Sequence, residues 1–140
     1  MSEANKALVR RFIEEYQCGR DESVALEITA DDYVDHTPYE PGQTDKQGVL
    51  AGHRSLFDAF PDLRFDVVQQ FADGDKVITQ KTISGTHLAE FEGVPATGKS
   101  VRFDYADIVT VRDGQVTEHW MFLDRLELMS QIGVDLTSSS

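Results

Sequence analysis

Between Ala4 and Cys18 the apolar positions recur at helical spacing. Leu8, Phe12 and Tyr16 form one stripe, Val9 and Ile13 widen it, and Arg10, Arg11, Glu14 and Glu15 fall opposite. This pattern predicts an amphipathic helix over 4–18, with Gly19 as its C-cap. Val24, Leu26 and Ile28 predict a short second helix over 22–29. The stretch DDYVDHTPY, residues 31–39, reads as extended, and Pro38 confines it to a sheet edge or a strand end. A third helix, 45–60, sets Val49, His53, Leu56, Phe57 and Phe60 on one face and stops at Pro61.

Beyond Pro61 the period changes from helical to extended. Segments 63–72 and 76–86 form a hairpin through Asp73-Gly74-Asp75, and segments 100–112 and 115–123 form another through Asp113-Gly114. A Gly- and Pro-bearing loop, 85–100, joins them, and a last helix over 124–132 ends at Gly133. Helices first and antiparallel strands after predict an α+β fold, with helices packed on one face of a curved antiparallel sheet. A sheet curled in this way leaves a cone whose mouth can hold an apolar ligand. Neither a repeat nor a linker interrupts the chain, so one domain is expected, ordered over about 4–134 with a frayed tail over 135–140.

A two-residue turn at Asp113-Gly114 fixes an expected register for the second hairpin. Asp107 then faces Trp120, Tyr105 faces Phe122, and Phe103 faces Asp124. Partners across an antiparallel ladder share a face. That face carries Phe103, Tyr105, Asp107, Trp120, Phe122 and Asp124: aromatic walls with two carboxylates, as a ligand pocket needs. The opposite face, with Ile108, Thr110, His119, Met121 and Leu123, is flatter and suits packing against a second subunit. This register separates His119 from Asp124. A single bulge between Asp107 and Asp124 inverts the assignment.

Asp124 has two compatible readings. It precedes Arg125-Leu126-Glu127-Leu128, with Glu127 at capping-box spacing, and so fits a helix N-cap. Beside Trp120 and Phe122 it is also a candidate acid/base group, because desolvation raises a carboxyl's pKa whereas capping bonds lower it. His53, on the apolar face of its helix, reads as core or cavity lining. His36 and His87 lie in segments expected at the sheet rim, and Tyr16 on the helix stripe faces the same space.

The chain has 140 residues and a formal charge of −12. No basic cluster exceeds Arg10-Arg11, which argues against nucleic acid or an anionic membrane as partner. No run approaches the length of a membrane span. The lone Cys18 and the absence of a secretory signal at the N-terminus point to a reducing, cytoplasmic setting. Four scattered histidines without HxH or HExxH spacing predict no metal site. GVPATGK, residues 93–99, lacks the spacing of a phosphate loop, and neither GxSxG nor GxGxxG occurs.

The helix over 4–18, DDYVDHTP, FPDL, GDKVITQKTISGTH, EGVPATGK and DGQVTEHWMFLDRLELMSQIG occur in an order that resembles the SnoaL-like polyketide cyclases, or ester cyclases. Those proteins share the cone-shaped fold of nuclear transport factor 2 and ketosteroid isomerase. The resemblance implies an intramolecular aldol condensation without metal or cofactor. It implies Asp124 as acid/base, and it matches Tyr105 and Asp107 to positions where the family's cyclases carry Gln and His. The family's early asparagine falls near Asp35 or His36, and His87 matches a family histidine.

The expected function is a cofactor-free lyase or isomerase acting on a hydrophobic carbonyl compound. Asp124 and Asp107 are its catalytic candidates, and Tyr105, Phe103, Trp120, Phe122, His36, His53, His87 and Tyr16 bind substrate. A non-catalytic binding module of the same fold is the alternative. An epoxide hydrolase of the limonene-epoxide type is disfavoured because Arg102 falls on the face opposite Asp107 and Asp124. A homodimer through the outer sheet face is expected in each case.

Overall fold

A computed structural model describes residues 2–135, so the tail expected over 135–140 lies, apart from Asp135, outside the described residues. The chain opens with α1 (Ser2–Arg11) and continues without a break into a π-helical stretch, Phe12–Cys18. Then come α2 (Glu22–Ile28), β1 (Thr29–Asp35), α3 (Lys46–Ala59), β2 (Arg64–Asp73), β3 (Lys76–Thr86), β4 (Ser100–Arg112), β5 (Gln115–Leu123) and α4 (Arg125–Gln131). The strands form one mixed sheet in the order β1-β5-β4-β3-β2. Three pairings are antiparallel, as expected. The fourth, β1 on β5, is parallel and edge-located, so the sheet is mixed rather than wholly antiparallel.

The first helix departs from its expected form. After one α-helical half, wider turns carry Ile13, Tyr16 and Gln17 into the interior. Gly19 caps it with a helical φ of −83°, and the left-handed turn falls on Arg20, at φ 64°. Gly19 is required for a different reason, close approach. A Cβ there would lie 2.6 Å from the Glu15 carbonyl oxygen. Both hairpins turn where expected, with Asp113 and Gly114 both at positive φ (51° and 72°), as a tight two-residue turn demands.

The core fills the space between α1, the π-helical stretch, α2 and α3 on one side and the concave sheet face on the other. Ile13, Tyr16, Ile28, Phe60, Val77, Phe103 and Val109 are among its buried members. β3 pairs with β4 over eleven positions without interruption. That register sets Lys81 opposite Tyr105, Thr79 opposite Asp107 and Ile83 opposite Phe103.

Candidate active site

The site is set by one extra residue in β5. Val111 pairs with Val116, as the tight turn requires, but Thr110 pairs with Glu118, which leaves Thr117 unpaired in a β-bulge. Beyond it the partners shift by one: Val109 faces His119, Asp107 faces Met121 and Tyr105 faces Leu123. Since side chains alternate, a one-residue shift turns every later β5 side chain to the other face. The expected register is therefore corrected. His119, Met121 and Leu123 join Tyr105 and Asp107 on the concave side, and Trp120, Phe122 and Asp124 turn outward.

The concave side holds a partly open cavity of about 120 Å³. Its walls are largely apolar, including Val9 from α1 and Phe12 from the π-helical stretch, Leu56 and Phe60, and Phe103 and Leu128. Its polar end joins four sheet strands. Asp35 comes from β1, Lys81 from β3, Tyr105 and Asp107 from β4, and His119 from β5. The end of β1 is fixed there because the His36 amide donates to the His119 carbonyl, 2.9 Å, and Met121 N–H donates to Thr37 Oγ1, 2.7 Å.

Hydrogen bonds tie these groups into one network. His119 bridges two carboxylates, with Nδ1 3.2 Å from Asp35 Oδ1 and Nε2 3.3 Å from Asp107 Oδ2. Tyr105 donates its hydroxyl to the same Asp107 Oδ2, 3.3 Å, and lies 3.2 Å from His119 Nε2. Lys81 Nζ donates to Asp107 Oδ2 at 3.5 Å and to Gln17 Oε1 at 3.1 Å. Gln17 Nε2 lies 2.9 Å from His53 Nε2, and His53 Nδ1 donates to the Val49 carbonyl, 2.8 Å. Asp107 is thus lopsided. Oδ2 meets three donors, whereas Oδ1 is buried with no partner among the described residues.

Electrostatics assign protonation states near neutral pH. Burial alone would raise the pKa of Asp107, but Lys81 and His119 outweigh it and hold the carboxyl at about 2. Burial likewise opposes charge on His119, yet the bonds to Asp107 and Asp35 push it up to about 9. Asp35 is held below its ordinary value by His119 and Thr37, against burial. Burial, with Asp107 nearby, drives the Tyr105 phenol well above its ordinary range, so it remains a neutral donor. Burial pushes His53 down to about 4 and keeps it neutral. The polar end therefore pairs two cations, Lys81 and His119, with two carboxylates.

Of the residues expected at the site, Asp107, Tyr105, Phe103 and His53 line the cavity. Tyr16 is buried just behind it, edge-on to Phe12 and 4.8 Å from the His53 ring. The others lie elsewhere. His36 stacks on Trp120 on the outer face, with ring centroids 4.5 Å apart, and pairs with Glu118. Phe122 is 60% exposed on that face. His87 is buried beneath the loop after β3, bonded to Thr97 Oγ1 and packed on Phe60, so it anchors that loop and does not reach the cavity. Asp124 is exposed and caps α4 by accepting from Glu127 N–H, 3.2 Å. The Glu127 carboxylate turns to Gln131 instead of closing a capping box. Arg102 is exposed on the outer side, opposite Asp107 as expected, but the corrected register brings Asp124 to that same side.

Sequence reasoning missed His119, Lys81 and Gln17, and it left Asp35 as one of two positions, with His36, matched to the family's early asparagine. A signal for His119 existed. The unbulged register loads the enclosed face with Glu118 and Asp124 as well as Asp107, and the bulge relieves two of those three charges.

A curved mixed sheet wrapped on helices, with a polar cluster at the end of an apolar cavity, defines the nuclear transport factor 2-like class. Within it, the chain belongs to the SnoaL-like polyketide cyclase family, whose pattern it matches over residues 7–132. It is 25% identical over 135 residues to aklanonic acid methyl ester cyclase DnrD of Streptomyces peucetius, covering 90% of this chain and 88% of that one. The corresponding cyclase DauD of Streptomyces sp. (strain C5) is 24% identical over 134 residues, covering 90% and 80%. Among solved structures, a protein of Jannaschia sp. CCS1 assigned as a SnoaL-like polyketide cyclase superposes with a TM-score of 0.87 at 26% identity, covering 96% of this chain and 95% of its own. IdmH of Streptomyces antibioticus, assigned as a polyketide cyclase, gives a TM-score of 0.81 at 30% identity, covering 93% and 99%.

Proposed function

We propose that this protein is an acid/base cyclase that closes a ring by intramolecular aldol addition in the cavity. Asp107 is the base, and His119 and Tyr105 are the donors. The observation that carries this reading is the lopsided Asp107 carboxylate: buried, at the cavity, with three donors on one oxygen and none on the other. A buried acceptor left unpaired costs about 1–3 kcal/mol, and a proton-accepting role accounts for its retention.

Asp107 takes a proton from the carbon next to a carbonyl. The enolate oxygen that develops accepts from the His119 imidazolium or the Tyr105 hydroxyl, already in place and shielded from water. The enolate carbon attacks a second carbonyl of the same molecule, and the new alkoxide takes the proton back from Asp107. All atoms are conserved, and the steps need only proton transfers from side chains. Asp35 acts as a positioning residue, holding the imidazole ring through Nδ1. Relatives named as aklanonic acid methyl ester cyclases support this class of chemistry.

Asp107→Asn tests the proposal, since it keeps the shape and removes the base. Ring closure, or exchange of the substrate's α-hydrogen for deuterium, is expected to slow by about 10²-fold or more in a protein of native circular dichroism. Full activity in that variant would return the site to Asp124. If neither Asp107→Asn nor Asp124→Asn changed turnover, the fold would be left as a binding module.

We also infer a homodimer through the outer sheet face. Phe71, Ile78, Ile108 and Trp120 lie in register across four strands there, and Phe122 stands beside them. Phe71 and Phe122 are each more than half exposed. No described helix is long and apolar enough to cross a membrane. A cytoplasmic setting is inferred from the lone cysteine.

A further inference from the structure

The cavity is small for the chemistry its relatives' names describe. At about 120 Å³ it is near the ~150 Å³ void in which a protein core binds benzene. It is far below the roughly 300–1,000 Å³ of sites for drug-sized molecules. Its inner walls belong to the core, including Phe60, Phe103 and Leu128, so enlarging it there would mean repacking the core, while half-buried Tyr39, Gln43, Gly48 and Val49 line the rest.

The polar end carries a second constraint. Lys81 is 1% exposed, an uncommon position for a lysine. Its ammonium has three N–H donors, of which one meets Gln17 at 3.1 Å and one reaches Asp107 only at 3.5 Å. Aromatic rings of Tyr105 and Phe65 flank it, with centroids 5.1 and 5.9 Å away. Lys81 and His119 both converge on the same Asp107 oxygen. The base therefore stands between two cationic donors: Lys81 has one N–H to spare, and His119, whose two N–H groups already meet Asp35 and Asp107, takes an oxygen by sharing its Nε2–H between Asp107 and the substrate.

We propose that the cavity takes a compact β-dicarbonyl compound, acyclic or with a single ring, of about ten non-hydrogen atoms or fewer, one oxygen on Lys81 and the other on His119. The carbon between the carbonyls then faces Asp107, and Lys81 becomes a substrate-binding residue alongside His119. This rests on Asp107 acting as the base, as proposed above. C–H acidity supports the assignment. A carboxylate that three donors stabilise is a weak base, and a carbon between two carbonyls is far more acidic than one beside a single ketone. With two cations and two carboxylates the site is neutral before binding, and moving the diketone's proton to Asp107 only passes the negative charge from the carboxylate to the enolate, so the balance is kept throughout.

The test compares two probes on the full chain by calorimetric or NMR titration: acetylacetone and its larger benzo-fused relative, acetyltetralone. Acetylacetone is expected to bind at least tenfold more tightly, and Lys81→Met is expected to weaken it at least tenfold. Equal or tighter binding of acetyltetralone overturns the size limit, and unchanged acetylacetone affinity in Lys81→Met overturns the role of Lys81. Failure of acetylacetone to bind overturns the proposal outright. Should Lys81→Met not fold, because Asp107 loses one of its two charged partners, Lys81→Gln replaces it, and the size comparison needs no variant. Deuterium exchange at the central carbon of acetylacetone separates this inference from the one beneath it. Tight binding with exchange no faster than in Asp107→Asn leaves the substrate class standing and removes the base. Exchange of acetyltetralone without binding of acetylacetone does the reverse.

Discussion

His119 and His53 are titratable groups at one cavity, displaced in opposite directions. His119, clasped by Asp107 and Asp35, has its pKa raised from 6.5 to about 9. Its contribution to stability is fully present below pH 6.5 and is lost as the pH climbs towards 9. At one pKa unit per 1.36 kcal/mol, that loss is on the order of 3 kcal/mol. His53, buried and neutral, has its pKa lowered to about 4, so the unfolded chain binds the extra proton first, and stability falls as the pH drops from 6.5 towards 4. Asp107, held at about 2, withdraws its contribution only below its ordinary 3.8. Urea denaturation across pH should therefore peak near pH 6.5. His119→Gln should flatten the alkaline limb, and His53→Gln should flatten the acid limb between pH 6.5 and 4. An alkaline limb unchanged in His119→Gln would remove the imidazolium from the site.

Among the elements, β5 and α4 decide which aspartate meets the cavity. The bulge at Thr117 turns His119 in and Trp120 out, and the exposed Asp124 becomes the N-cap of α4. Asp124→Ala should lower stability by about 1 kcal/mol, the usual effect of losing an N-cap, with deuterium exchange unchanged. Thermal denaturation beside an exchange assay checks both halves, and lost exchange at native stability would move the chemistry to Asp124. The π-helical stretch matters in the same way. It buries Gln17, which holds Lys81 and meets His53, and so links the helical wall to the polar end of the cavity. Hydrophobic spacing announced a helix here, because Leu8, Phe12 and Tyr16 suit α and π turns alike. The widening depends on packing against β2 and α3, which local periodicity does not encode.

For the whole molecule, the outer face presents its exposed aromatics to a second copy. Sedimentation at micromolar concentration is expected to give twice the 15.7 kDa chain mass, and Phe122→Glu is expected to shift it towards the monomer with the cavity chemistry intact. A monomer mass for the unaltered protein would count against the interface. Element order, both hairpin turns and nearly every strand boundary were legible in the sequence, because they follow from period, Gly-bearing turns and Pro stops, which act over a few residues. The SnoaL-like family was legible for the same reason, its motifs falling in order along the chain. Asp107, Tyr105, Phe103 and His53 were legible as cavity residues because β4 keeps strict alternation and His53 keeps to its helix stripe. The identity of their partners was not. His119 enters through one unpaired residue, Asp35 through a parallel edge pairing, and Lys81 through the register of β3 on β4. Each depends on contacts between segments far apart in the chain, so only the tertiary structure decides which charges meet at the end of the cavity.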